Sequence, residues 1–347
     1  MNRRDFLLPR ATGRSDGPEI TLHRFARAAM ATVFEVLLPW GSPRADGAAA
    51  AALDLINRLE SQLTVYRPAS EISRLNRVAA RALVPVEPEL FALLSLASRM
   101  TAQTGGAFDI TAGPLIKAWG FFHRQGRVPT TDDLALAMDN VGMQHVVLDP
   151  QQRTVRYLRP AVEINLGSIG KGYALDRAGD LLRAEFGVTA GLLNGGNSSI
   201  LALGSPPNDP DGWTVGLRDP ACPEERLAVV RLRGRAMATS ASTYQHFGYN
   251  DRKLGHLLDP RTGRPAEGMA LATAFAPTAA EADALATAFY VLGPGGTRSY
   301  CESHPEVGAV VLRDEPGAEL EAINLRPADL VPAPARIVSG DALWELA

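Results

Sequence analysis

The stretch Glu281-Ala282-Asp283-Ala284-Leu285-Ala286-Thr287 constrains this chain more than any other. It sets one carboxylate and one hydroxyl a helical turn apart among alanines and a leucine. Thr278 and Glu281 have the spacing of a capping box, so a helix is predicted to begin at Ala279. It runs through Val291-Leu292 and stops at Gly293-Pro294, a glycine able to turn left-handed followed by a breaker. Asp283 and Thr287 then share one face with apolar neighbours. Burying such groups is costly unless something pairs with them. A hard cation with oxygen ligands, Mg²⁺ above all, would do so. A capping pattern on a solvated helix edge explains the same residues equally well, and the pair alone does not decide.

Composition excludes several classes. With 347 residues, 46% hydrophobic and 21% charged, the chain has the makeup of a globular protein of one large domain or two. A net charge of −3 and a pI near 6.1 give no basic footprint for nucleic acid. Cys222 and Cys301 are the only cysteines and form no CxxC or Cys/His group, which argues against zinc, iron–sulfur and disulfide frameworks. No apolar run is long enough to predict a transmembrane helix. Asn2-Arg3-Arg4-Asp5-Phe6-Leu7-Leu8 resembles the start of a twin-arginine export signal. A polar stretch from Pro9 to Asp16 follows where such a signal needs apolar residues, and no lipidation cysteine is present. Residues 1–18 are therefore expected to form a loose arm before one folded unit over 19–347, with the compartment open between cytoplasm and periplasm.

Periodicity predicts the elements that position the motifs. Alternation over 20–39 gives two strands either side of Ala29-Met30-Ala31-Thr32. Amphipathic helices follow over about 47–63 and 87–104, the second ended by Gly105-Gly106. Short strands are expected at 144–149, 153–158 and 161–166, then a helix from Lys171 to Phe186. Further strands are expected at 190–194, 198–203, 213–217, 227–233 and 269–276, with loops at 204–212 and 219–225. No internal repeat is visible.

Several segments carry chemistry-bearing residues. Gly167-Ser168-Ile169-Gly170-Lys171-Gly172 joins a strand to a helix, leaving backbone N–H groups beside a lysine, a seat for an anion. It lacks the spacing of a Walker A loop, and a plain glycine turn is the commoner explanation. Asn194-Gly195-Gly196-Asn197-Ser198-Ser199 lets a ligand approach the backbone closely, or forms a tight hairpin. His256, in Gly255-His256-Leu257-Leu258-Asp259-Pro260-Arg261-Thr262-Gly263, can take a proton from a hydroxyl nucleophile, although a lone His is usually structural. Tyr66 can stack on a planar ring or fill a core. Ala107-Phe108-Asp109 sits in a glycine-flanked loop.

In this order, with Ser70-Glu71, Ala238-Thr239-Ser240 and the 276–287 segment, these motifs resemble the ApbE family of FAD:protein FMN transferases across about residues 25–315. The resemblance implies an α+β fold of two lobes with mixed or antiparallel sheets and FAD in the cleft between them. It implies that FMN passes from FAD to a Ser or Thr of a target flavoprotein, releasing AMP. Asp283 and Thr287 would be side-chain ligands of Mg²⁺, with the backbone carbonyl of Ser168 as a third. Met30, Tyr66, Ala107, Phe108, Asp109, Asn165, Lys171 and His256 fall at flavin-site positions, and His256 resembles the catalytic base. Asn165 and Asn197 stand where the family commonly carries Asp, which bears on FAD affinity through a lost charge. The alternatives are an FAD pyrophosphatase, with water replacing the protein hydroxyl, and a flavin-binding protein without turnover.

Overall fold

Eight strands pair strictly in chain order in this computed structural model, which describes residues 20–196, 198–222, 225–241, 246–249 and 252–332. They are β1 (Leu22–Ala29), β2 (Thr32–Pro39), β3 (Gly191–Gly195), β4 (Ser199–Leu203), β5 (Ala236–Ala241), β6 (Met269–Ala276), β7 (Gly308–Arg313) and β8 (Glu321–Ile323). Every ladder among them is antiparallel, so the sheet is a meander with enlarged connections. Between β2 and β3 lie helices α1 (Ala45–Leu63), α2 (Glu71–Val78), α3 (Pro88–Gln103), α4 (Gly113–Ala118), α5 (Thr131–Met138) and α6 (Gly170–Phe186). Helix α7 (Ala279–Ser303) joins β6 to β7.

Strand alternation sorts two cores on opposite faces. Leu193, Leu201, Leu203, Ala238, Ala272 and Ala274 belong to the core shared with α1, α6 and α7. Leu192, Ile200, Met237, Leu271 and Phe275 belong to the other, shared with a three-stranded sheet of Trp213–Arg218, Arg226–Leu232 and Leu330–Pro332. The same alternation assigns Ser199 and Ser240 to the helical face. Buried alanines at Ala280, Ala282, Ala284, Ala286 and Ala288 let α7 lie close to the sheet. That closeness brings Asp283 within reach of strand side chains.

Most predicted elements form within a few residues of their expected bounds. The Thr278 half of the capping box forms: its hydroxyl accepts from Glu281 N–H at 3.2 Å and donates to Glu281 Oε2 at 2.9 Å, in place of the return bond to the Thr278 N–H. The expected stop at Gly293-Pro294 is a break and not an end. Gly293 adopts φ 68° and ψ −176°, and Pro294 then opens a second helical segment, a position where its missing N–H costs nothing. The expected strand at 161–166 does not form; the run makes one isolated parallel bridge, Ala112 to Glu163. At Ile164 a side chain is the partner instead. Asn76 donates to the Ile164 carbonyl and accepts from its N–H, both at 2.9 Å, standing in for a neighbouring strand. Residues 1–18, read as an arm, and Asn197 lie outside the described residues. Among the described residues no helix is long and apolar enough to cross a membrane.

Candidate active site

Asp283 is 6% exposed in the second turn of α7. Gly172 N–H, at the start of α6, donates to its Oδ2 at 2.7 Å, and the buried Ser199 hydroxyl of β4 donates to Oδ1. The Lys171 ammonium stands 4.0 Å from Oδ2. A carboxylate offers about four acceptor directions, so two protein donors fix its orientation and leave others open. Thr287, one turn further, donates to the Asp283 carbonyl at 3.3 Å and lies 3.5 Å from the Ser240 hydroxyl of β5. Both of those hydroxyls are half-buried, at the border of solvent.

The hairpin turn between β1 and β2 is strained. Met30 and Ala31 adopt φ 49° and 60°, left-handed values that cost a residue with a Cβ about 1–2 kcal/mol each. Beside the turn, Gly196 donates its N–H to the Val33 carbonyl at 3.1 Å. A Cβ on Gly196 would lie 2.1 Å from Thr32 Oγ1, so only glycine permits this approach. The Gly195-Gly196 pair thus exists to seat the Met30 turn against the strand that leads to Ser199.

The Ala107-Phe108-Asp109 loop is held from within. Asp109 accepts from Thr111 N–H at 2.8 Å, Thr111 Oγ1 at 2.6 Å and Met143 N–H at 3.0 Å. Burial raises its pKa, and these bonds pull the other way. Ala107 and Phe108 are 0% and 1% exposed, packed in the main core. The loop meets the next motif through Asn165, whose N–H donates to the Ile110 carbonyl at 2.7 Å. Asn165 Oδ1 accepts from Gly167 N–H at 2.9 Å and so shapes the turn that carries half-buried Ser168 toward Lys171.

His256 lies in different surroundings. It follows the strand Arg252–Gly255 and is half-buried, with the Phe121 ring edge-on at 6.5 Å. The neighbouring Phe122 packs at 4.9 Å against Tyr66, which is 64% exposed. Phe122 also lines an open pocket of about 520 Å³, with Lys117, Gly120, His123, Gln125 and Arg127. Asp259 holds the Arg261 guanidinium through two bonds of 2.9 Å. Arg261 in turn would touch a Cβ on Gly106 at 3.5 Å, and Trp119 Nε1 donates to the Gly263 carbonyl at 2.7 Å. The His256 segment is thereby fastened to the end of α4 and lies alongside Gly106.

The structure thus joins Lys171, Asp283 and Thr287 in one constellation, seats the Met30 turn beside the strand end that leads to Ser199, and sets the adjacent Phe121 and Phe122 against His256 and Tyr66 respectively. Asp109 and Asn165 link the loops between them. Ser199 and Ser240 were legible only as members of motifs; strand parity, which puts Ser199 on the face of Leu201 and Leu203, was the signal that could have singled it out.

Comparison with known proteins identifies the family. The family model described as "ApbE family" matches residues 30–311. An Escherichia coli K12 protein named FAD:protein FMN transferase is 33% identical over 241 residues, 67% of each chain. A Treponema pallidum protein of the same name is 32% identical over 298 residues, 82% of this chain and 78% of its own. Among solved structures, the ApbE protein of Thermotoga maritima superposes with a TM-score of 0.80 at 26% identity, covering 87% of this chain and 97% of its own. The apo flavinyl transferase ApbE of Pseudomonas stutzeri gives 0.76 at 27% identity, covering 88% and 95%. A family match over this span, carried by an antiparallel α+β fold of the same kind, places the chain in the ApbE family.

Proposed function

We propose that this enzyme transfers FMN from FAD to a Ser or Thr hydroxyl of a target flavoprotein, releasing AMP, with Mg²⁺ bound at Asp283. The observation that carries the reading is the Asp283 carboxylate, held by Gly172 N–H and Ser199 beside Lys171 at a helix N-terminus. The names of the relatives support the reaction class.

The donor set suits a hard cation. Among the described residues no three His, Cys, Asp or Glu side chains converge, so a cage built of such groups is not what this site offers. It offers one oriented carboxylate with open acceptor directions and the Thr287 hydroxyl one turn on; on this reading the Ser168 carbonyl, from the turn before Lys171, would be a third ligand. Mg²⁺ is commonly held by one or two carboxylates together with substrate phosphates. When bound, the ion neutralises pyrophosphate oxygens and makes phosphorus a better electrophile.

The chain's own residues supply the rest. The Lys171 ammonium binds the pyrophosphate, since the α6 start gives its Gly172 N–H to Asp283 and its Gly170 N–H to the Leu166 carbonyl. The exposed Tyr66 ring offers a face to the isoalloxazine, whereas Phe108 and Ala107 are buried and contribute through their backbone. His256 takes the proton of the acceptor hydroxyl as its oxygen attacks the FMN phosphorus. One P–O bond forms, the bond to the bridging oxygen breaks, and that oxygen leaves with AMP.

The test is incubation with FAD, Mg²⁺ and a candidate flavoprotein subunit. A fluorescent acceptor band whose mass has risen by one FMN moiety is expected. Free FMN and AMP without a labelled acceptor would instead identify a pyrophosphatase.

A further inference from the structure

Helices α6 and α7 hold one another by a reciprocal exchange. Gly172 N–H, at the start of α6, donates to Asp283 on α7 at 2.7 Å. In return, Ala279 N–H and Ala280 N–H, at the start of α7, donate to the two oxygens of Asp176 on α6, at 2.7 and 2.8 Å. Each carboxylate lies one turn beyond the amide its own helix gives away. The first N–H groups of any helix have no partner within it. The Thr278 side chain takes the Glu281 N–H, and Asp176 takes two of the others.

The crossing leaves no slack. A Cβ on Gly172 would sit 1.9 Å from the Ala279 carbonyl oxygen and 2.7 Å from Ala280 N. A water molecule could replace Asp176 as acceptor only if the helices moved apart. That movement would carry Asp283, one turn down α7, away from Gly172 and Lys171.

We infer that Asp176 is a positioning residue for the transfer site: it docks the first turn of α7 on α6 and thereby sets Asp283 as a cation ligand. The inference rests on the reading of Asp283 given above. Groups behind a metal ligand typically contribute about 10–100-fold to metal affinity. Asp176→Asn keeps the size but can accept only one of the two bonds, because its amide nitrogen faces an N–H.

The test uses the full chain and Mn²⁺ as probe, following free Mn²⁺ by electron paramagnetic resonance, with the unfolding midpoint measured in parallel. Asp176→Asn is expected to bind Mn²⁺ about 10–100-fold more weakly than wild type. The control is Glu87→Ala, which removes a carboxylate accepting Glu89 and Leu90 N–H at the start of α3. It is expected to lower the midpoint and leave Mn²⁺ affinity unchanged. Wild-type Mn²⁺ affinity in Asp176→Asn, with binding lost in Asp283→Ala, would reduce Asp176 to a helix cap and overturn the inference alone. Wild-type binding in Asp283→Ala would overturn the cation reading beneath it. Should Asp176→Asn not fold, Asp176→Glu, which keeps both acceptors at a longer reach, carries the same comparison with a smaller expected loss.

Discussion

The Asp283 end and the His256 end of the site are built by opposite means. Around Asp283, regular elements supply every contact: the starts of α6 and α7, and side chains of β4 and β5, meet through buried or half-buried hydrogen bonds. Around His256, loops and ring edges do the work, with Phe121 against His256 and the adjacent Phe122 against an exposed Tyr66 and lining an open pocket. Under the proposed function, the first end offers the preorganisation that electrostatic stabilisation of a pyrophosphate requires, and the second the access that a protein hydroxyl requires. On that reading, rigidity and access fall to different parts of one site.

Four substitutions sharpen this contrast. The largest loss is expected of Asp283→Ala, which removes a charge and little volume. Mg²⁺-dependent transfer should disappear with the circular dichroism spectrum unchanged, and undiminished transfer would remove Asp283 from the metal site. His256→Ala should slow transfer by about 10²–10⁴-fold while FAD still binds, the contribution typical of a general base. Loss of FAD binding with normal turnover at saturation would make His256 a binding residue instead.

Gly172→Ala probes the rigid end through stability. Its methyl group would collide with the Ala279 backbone carbonyl, which cannot rotate aside. Overpacking of this kind costs about 1–3 kcal/mol, visible as a lower denaturation midpoint. An unchanged midpoint would mean that the α6–α7 crossing is looser than its geometry. The smallest effect is expected of Asn165→Asp. The acceptor for Gly167 N–H survives, so the turn keeps its shape, and only the amide nitrogen is exchanged for a charged oxygen. FAD affinity in the presence of Mg²⁺ should change by about tenfold or less, with turnover at saturation nearly constant. Identical dissociation constants would leave Asn165 as a turn former only.

The same contrast explains what could be read from the chain beforehand. The α7 start was legible because Thr278 and Glu281 satisfy each other locally, and Asp283 and Thr287 follow at a fixed spacing. The β1–β2 hairpin was legible from alternation, although its strained Met30-Ala31 turn was not. β5, with the sequence Ala-Met-Ala-Thr-Ser-Ala, went unseen because its residues have little strand preference and its register comes from β4 and β6 on either side. The short helices α2, α4 and α5 escaped for want of a sustained apolar period. At 161–166 alternation suggested a strand where the Asn76 side chain serves as the partner. Phe108, which the resemblance sets at a flavin-site position, has its ring in the core, and a loop sequence does not state which side of it is covered. Contacts between distant segments, such as Gly172 with Ala279, have no local signature at all.

One titration tests the central claim that the two ends are separable. Mn²⁺ is added to wild type, His256→Ala and Asp283→Ala, each with FAD present, and bound metal and transferred flavin are followed together. The account predicts that His256→Ala binds Mn²⁺ as wild type does while transferring slowly, and that Asp283→Ala neither binds the metal nor transfers. Equal Mn²⁺ binding by all three chains, or loss of binding in His256→Ala, would contradict it.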